Sequence, residues 1–200
     1  MEFDSLLKLM VHKNASDLFI TAGIPPSMKI SGKIMPIAKG SLTPDQARQI
    51  VNSVMNQEQR QEFQATRECN FAISRSGIGR FRVNVFQQRN QVGMVLRKIE
   101  TVIPTFDELN LPPILRELSM TKRGIVLFVG GTGSGKSTSL AAMVDFRNRN
   151  STGHIITIED PIEYVHQHQG CIITQREVGI DTNTFEDALV NTLRQAPDVI

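Results

Sequence analysis

Two hundred residues, 40% of them hydrophobic and 21% charged, describe a chain able to bury a core without disulfide or metal staples. The formal net charge is only +2 and no run of five basic residues occurs, which argues against a nucleic-acid binder with its usual basic stripe. Cys69 and Cys171 form no CxxC pair and fit a reducing compartment.

The segment MEFDSLLKLMVHKN starts acidic and its apolar run is short, so it reads as neither a signal peptide nor a membrane anchor. The longest apolar run, around GIVLF, falls far below a membrane span, and membrane contact is expected only through partners. Within the first segment, SLLKLMV predicts a short amphipathic helix, and DLFITA predicts a strand. PSMKISGKIMPI has the form of a hairpin turning at Ser31-Gly32. Thr43-Pro44-Asp45-Gln46 is a capping box with proline at the first helical position, and its helix should bury Ile50, Val51 and Val54. A second short helix is expected over QEQRQEFQ. Three strands follow, CNFAIS, GRFRVNVFQ and VGMVLRKI, with Gly77 and Gly79 punctuating the first pair and Asn90 turning the second. Residues 1–99 therefore read as an α+β domain with an antiparallel sheet.

Residues 100–113, ETVIPTFDELNLPP, carry three prolines and several acids and read as a connector. From 114 to 200 the pattern changes to β-α-β. A short helix, PILRELSM, precedes GIVLFV, a continuous apolar run expected to be a buried parallel strand. A helix from Lys136 to Asn148, strands at HIITI and CIITQ, and a helix at TFEDALVNTLRQ with Thr184 as N-cap come next. PDVI opens another strand. A domain stopping on the first residues of a core strand is expected to be incomplete, so the sequence reads as a fragment.

Gly130-x-x-x-x-Gly135-Lys136-Ser137 satisfies the P-loop (Walker A) pattern, with a strand expected before it and a helix after it. In such a loop glycines wrap backbone N–H groups around phosphates, and the helix N-terminus adds its dipole. Lys136 supplies charge to the β- and γ-phosphates, and Ser137 offers a hydroxyl to Mg²⁺. Gly131, Thr132, Gly133, Ser134, Gly135, Lys136, Ser137 and Thr138 are the expected nucleotide-binding residues. The guanine-specific N-K-x-D pattern does not occur in the sequence, which favours ATP. Further on, ITIEDPIEY places Glu159, Asp160 and Glu163 at the carboxyl end of a predicted parallel strand, where open α/β sheets bind ligands. Carboxylates there suit the positioning of an attacking water; a solvated acidic turn is the alternative on the residues alone. Pro161 stops the strand and re-aims Glu163.

GGTGSGKSTSLAAM, TIEDPIEYVH, TQREVG and LRQAPDVI, with SDLFITAGIPPSMKISGKI and GRFRVNVFQQRNQVGMVLRKI, together resemble the type IV pilus retraction ATPases of the PilT/PilU family. The likeness covers essentially the whole chain. EYVHQHQGCIITQREVG and LRQAPD look more like the PilU branch than PilT, where an acidic residue usually replaces Ala196. The resemblance implies a PAS-like N-terminal domain followed by a RecA-like P-loop domain, a homohexamer, and ATP held between the two domains. It implies that Glu163 is the general base, that Arg82 and Arg97 reach the phosphates, and that Glu159 and Arg194 lie near the nucleotide. Secretion-type relatives carry another arginine four residues before Arg194, where Val190 stands here. The family's Walker B glutamate and histidine box should lie beyond Ile200, and 1–200 alone is expected to be inactive. A PilT-type ATPase, a PilC-like inner-membrane platform and a cytoplasmic place at the base of the pilus are implied as well. Secretion and assembly relatives usually add an N-terminal domain, so a chain opening on the PAS-like unit is expected to serve retraction and twitching motility. An accessory role beside a true motor and a nucleic-acid translocase are the competing functions.

His166-x-His168 is a weak metal signal, since two ligands do not make a zinc site. Cys171, Met94, Met120 and Met143 read as core fillers. Arg75, Arg80, Arg82 and Arg89 form a loose basic group facing phosphates or a neighbouring subunit.

Overall fold

Alternation of buried and less buried residues along Glu68–Arg75 and Gly79–Gln88 helps build the first of two units into which the chain divides, Met1–Ile99 and Glu100–Ile200. The computed structural model describes residues 3–200. In the first unit, helix α1 (Phe3–His12) leads into β1 (Ala15–Thr21), and a hairpin follows, β2 (Ser27–Ile30) and β3 (Lys33–Pro36). Ser31 and Gly32 make its turn with φ of 48° and 79°, the left-handed pair that a tight hairpin requires. Helices α2 (Pro44–Val54) and α3 (Gln57–Thr66) precede a meander of β4 (Glu68–Arg75), β5 (Gly79–Gln88) and β6 (Gln91–Ile99). The sheet is antiparallel with strand order β3-β2-β1-β6-β5-β4.

Both N-terminal caps of the α2–α3 pair are reciprocal. Thr43 and Gln46 exchange bonds at the start of α2, and Asn56 and Gln59 do so at α3. Helix α2 buries Ala47, Val51 and Val54 and lies against β6 and β1; Ile50 is half-buried at its margin. One core joins these residues with Leu6, Leu7, Leu18, Ile20, Phe81, Val83, Met94 and Leu96.

The second unit opens with residues 100–113. Phe106 there is buried beside Ala142 and Met143, with its ring edge-on to Phe146 at 5.2 Å. Helix α4 (Ile114–Ser119) follows, then the phosphate-loop sequence, α5 (Lys136–Asn150), β7 (Gly153–Glu159), β8 (Cys171–Glu177) and α6 (Phe185–Thr192). β7 and β8 are parallel, in register from Gly153↔Cys171 to Glu159↔Glu177. Near the end of the chain, Val199 makes a single parallel bridge to Ile155.

The expected buried strand at GIVLFV is not present. Residues 124–129 carry no strand, and Ile125, Leu127 and Val129 are 87%, 80% and 93% exposed. A strand needs neighbours to take its N–H and C=O groups. Among the described residues, β7 pairs with β8 and makes a single bridge to Val199, and no strand pairs with 124–129. Its composition foretold an apolar character but could not supply the partner. The helix expected to run through Gln195 also ends sooner, at Thr192.

Candidate nucleotide-binding site

Helix α5 starts differently from the helices capped by side chains. Thr43, Asn56 and Thr184 each accept a main-chain N–H at the head of α2, α3 and α6. Gly135 precedes α5 in a left-handed conformation, φ 88°, and contributes no side-chain cap. The first N–H groups of a helix have no internal acceptor, so this terminus offers donors and a positive dipole end to an anion. Gly133, with φ 78°, gives the loop its second left-handed turn, and a methyl group at Gly131, Gly133 or Gly135 would meet no atom within 4 Å. The Lys136 ammonium folds back over the loop and donates to the carbonyls of Gly130 and Gly131, both at 2.8 Å. A glycine cradle closed by an ammonium, at an uncapped helix start, fits a polyphosphate. Ser137, one residue into the helix, is exposed.

Thr138 ties this first turn to the acidic loop. Its Oγ1 lies 3.3 Å from the hydroxyl of Tyr164, the single tyrosine of the chain. The loop runs from β7 to β8 through a cis Asp160–Pro161 bond. Glu159, at the end of β7, accepts from Thr157 Oγ1 at 2.6 Å and from Gln175 Nε2 at 3.0 Å. Asp160 and Glu163 are exposed. A cleft of about 680 Å³ is lined in part by Ser137, Glu159, Glu163, Tyr164 and His166, so the hydroxyl of the phosphate loop and the acidic stretch share one concavity. Arg194 is exposed just after α6.

Arg82 and Arg97 belong to the first unit. They are direct partners across β5 and β6, and the row continues to Asp17 on β1. Arg97 Nε donates to Asp17 Oδ1 at 2.8 Å, and Asp17 is buried. Like charges facing each other across strands repel, so the buried carboxylate offsets part of the cost of placing two guanidiniums side by side. Such a pair on one face suits an anion. Arg75, from the same loose basic group, is engaged by Asp4 at 3.2 Å.

The histidines do not converge on a metal. His168 Nδ1 accepts the Ile173 N–H at 3.0 Å, and among the described residues no group of three or more potential ligands occurs. Burial draws the His166 ring below the ordinary histidine value, against the pull of Glu159 and Asp145. Cys171 is buried, and burial pushes its thiol up, as expected of a core filler.

Three contributors escaped the sequence reading. Asn148 is fully buried; its Nδ2 donates to Gln167 O at 2.7 Å, and its Oδ1 accepts from Gln169 and Cys171 N–H groups, both at 3.2 Å. Gln175 joins Glu159 to the backbone of the acidic loop. Tyr164 supplies the hydroxyl beside Thr138. An amide inside a strand and a lone tyrosine beside three acids were the available signals; Asn148 gave none.

Residues 4–200 match the family described as Type II/IV secretion system protein. The chain is 69% identical over its full length to the type IV pilus ATPase PilU of Pseudomonas aeruginosa, covering 52% of that protein. It is 41% identical over its full length to the type IV pilus retraction ATPase PilT of the same organism, covering 58%. The crystal structure of the pilus retraction motor PilT with bound ADP superposes with a TM-score of 0.92 at 43% identity, covering all of this chain and 59% of that one. The chain thus spans about half the length of the curated relatives it matches. Among the described residues, no helix is long and apolar enough to cross a membrane. With a family match from residue 4 to residue 200, the chain belongs to the Type II/IV secretion system protein family, and over its full length it is similar to the type IV pilus ATPases PilU and PilT.

Proposed function

We propose that this chain carries the ATP-binding part of a motor that powers or assists type IV pilus retraction. The observation that carries the reading is the uncapped start of α5 behind a glycine loop closed by Lys136. ADP bound to the related PilT supports the choice of nucleotide. In this reading residues 1–99 form a PAS-like domain, 100–113 a linker, and 114–200 the first part of a RecA-like domain. Gly131 through Thr138 hold the phosphates, with Glu159 and Arg194 beside the nucleotide. The Ser137 hydroxyl would hold Mg²⁺, which neutralises phosphate charge when bound. Glu163 takes the proton of the attacking water, and Arg82 and Arg97 stabilise charge on the phosphoryl oxygens. The working assembly is a cytoplasmic homohexamer at the inner-membrane base of the pilus, acting on a PilC-like platform protein beside a PilT-type ATPase.

ATP turnover by the full-length protein tests this. Lys136→Ala should abolish it. Glu163→Gln should lower it by about 10²- to 10⁴-fold, the usual worth of a general base, while ADP still binds. Arg82→Ala or Arg97→Ala should cost on the order of 10³-fold. Unchanged turnover in Lys136→Ala would overturn the nucleotide site; unchanged turnover in Glu163→Gln would remove that residue from the mechanism. A second reading, an accessory subunit without turnover of its own, draws on Val190, exposed on α6 where secretion-type relatives carry an arginine. Adding a PilT-type partner to the same assay separates the two.

A further inference from the structure

We infer that Gln175 is a positioning residue for Glu163, an inference that rests on the ATP-hydrolysing reading above. The Glu163 carboxylate is exposed and makes no side-chain hydrogen bond among the described residues, so its aim depends on the backbone on either side. Gln175 holds both sides. Its Nε2 donates to Glu159 Oε1 at 3.0 Å, before Glu163 in the chain, and to the Tyr164 carbonyl at 2.8 Å, after it. Its Oε1 accepts the His166 N–H at 2.8 Å. One carboxamide thus uses two donors and one acceptor to span the acidic loop.

Gln175 stands in the middle of β8, opposite Thr157 of β7 in the parallel register. A side chain anchored on a strand transmits a fixed position better than one anchored on a loop. Thr157 Oγ1 donates to the same Glu159 oxygen, so the bridge begins from both strands. At its other end the loop meets the phosphate-loop helix through Tyr164 and Thr138. Few side chains can replace the amide. Leucine fills the volume without a polar atom, asparagine is one methylene short, and an ionised glutamate only accepts and stands against Glu159.

The test uses the full-length protein with Gln175→Leu and Gln175→Glu. Turnover of ATP, affinity for ADP and amide exchange over residues 160–168 are measured together. Gln175→Leu should lower kcat by about 10- to 100-fold, as a misplacement near 1 Å does, with ADP affinity unchanged and the thermal transition lowered only by the loss of the three loop bonds. Exchange at His166 and its neighbours should rise. A protonated glutamate regains a donor, so Gln175→Glu should recover turnover relative to wild type as pH falls. Wild-type kcat in both variants overturns the inference. So does a joint loss of kcat, ADP affinity and thermal transition, which is the mark of a merely structural role. If Gln175→Leu does not fold, the pH response of Gln175→Glu decides. A wild-type protein without turnover removes the ATPase reading instead, and exchange over 160–168 then decides whether Gln175 holds the loop.

Discussion

Gly170 and Gly131 should fail for opposite reasons when given a methyl group. At Gly170 a Cβ would stand 2.3 Å from the Ser151 carbonyl oxygen and 2.8 Å from that of Asn148, both main-chain atoms that cannot swing aside. Gly170→Ala should therefore cost about 1–3 kcal/mol of stability, as overpacking does, seen as an earlier urea midpoint. At Gly131 the same Cβ meets nothing within 4 Å. Gly131→Ala should unfold like wild type yet bind ADP more weakly, because in the proposed site a phosphate would approach the backbone there. Equal ADP affinity by calorimetry would place the phosphates elsewhere. Only the second case was legible beforehand. A P-loop glycine announces itself by spacing within eight residues, whereas Gly170 is constrained by carbonyls about twenty residues away in the chain that no local pattern reveals.

At the scale of elements, local signals read well and non-local ones did not. Capping boxes at Thr43 and Asn56 and the hairpin turn at Ser31-Gly32 are set by residues within three positions of each other, though the Asn56 box itself was overlooked. The run 124–129 depends on hydrogen bonds from another strand, which composition does not supply. The acidic loop lies between these cases. Its carboxylates were visible in EDPIE, but its supports, Gln175 and Asn148, lie on β8 and α5. Removing one such support should be measurable. Asn148→Ala strands the Gln169 and Cys171 N–H groups and the Gln167 carbonyl, and should cost about 1–3 kcal/mol in chemical denaturation. His166 adds a pH dependence. Its folded pKa lies below the ordinary 6.5, so as pH falls the unfolded chain takes up the proton first. The stability contributed by the neutral ring is complete above that value and is lost as pH drops from it through the folded pKa. His166→Gln should flatten this part of the stability curve in urea titrations at stepped pH. An unaltered slope would assign the acid sensitivity to other groups.

For the whole molecule, the two units differ in what they bury. Nineteen described residues of the first unit form one hydrophobic cluster on an open sheet of six paired strands. In the second, buried apolar residues fall into separate clusters, Phe106, Ala142 and Met143 in one, Ile155, Cys171 and Ile173 in another. Meanwhile Ile125, Leu127 and Val129 face outward. Cooperative unfolding requires a contiguous core whose parts lose their packing together. Residues 1–99 made alone should therefore melt in a single transition with coincident near- and far-ultraviolet dichroism signals. Residues 100–200 made alone should show secondary structure without that coincidence and should bind an apolar dye, the behaviour of a chain that keeps helices but not specific packing. A sharp calorimetric transition for 100–200, with no dye bound, would mean that the phosphate loop and its acidic partner are held by a core independent of any further strand at 124–129.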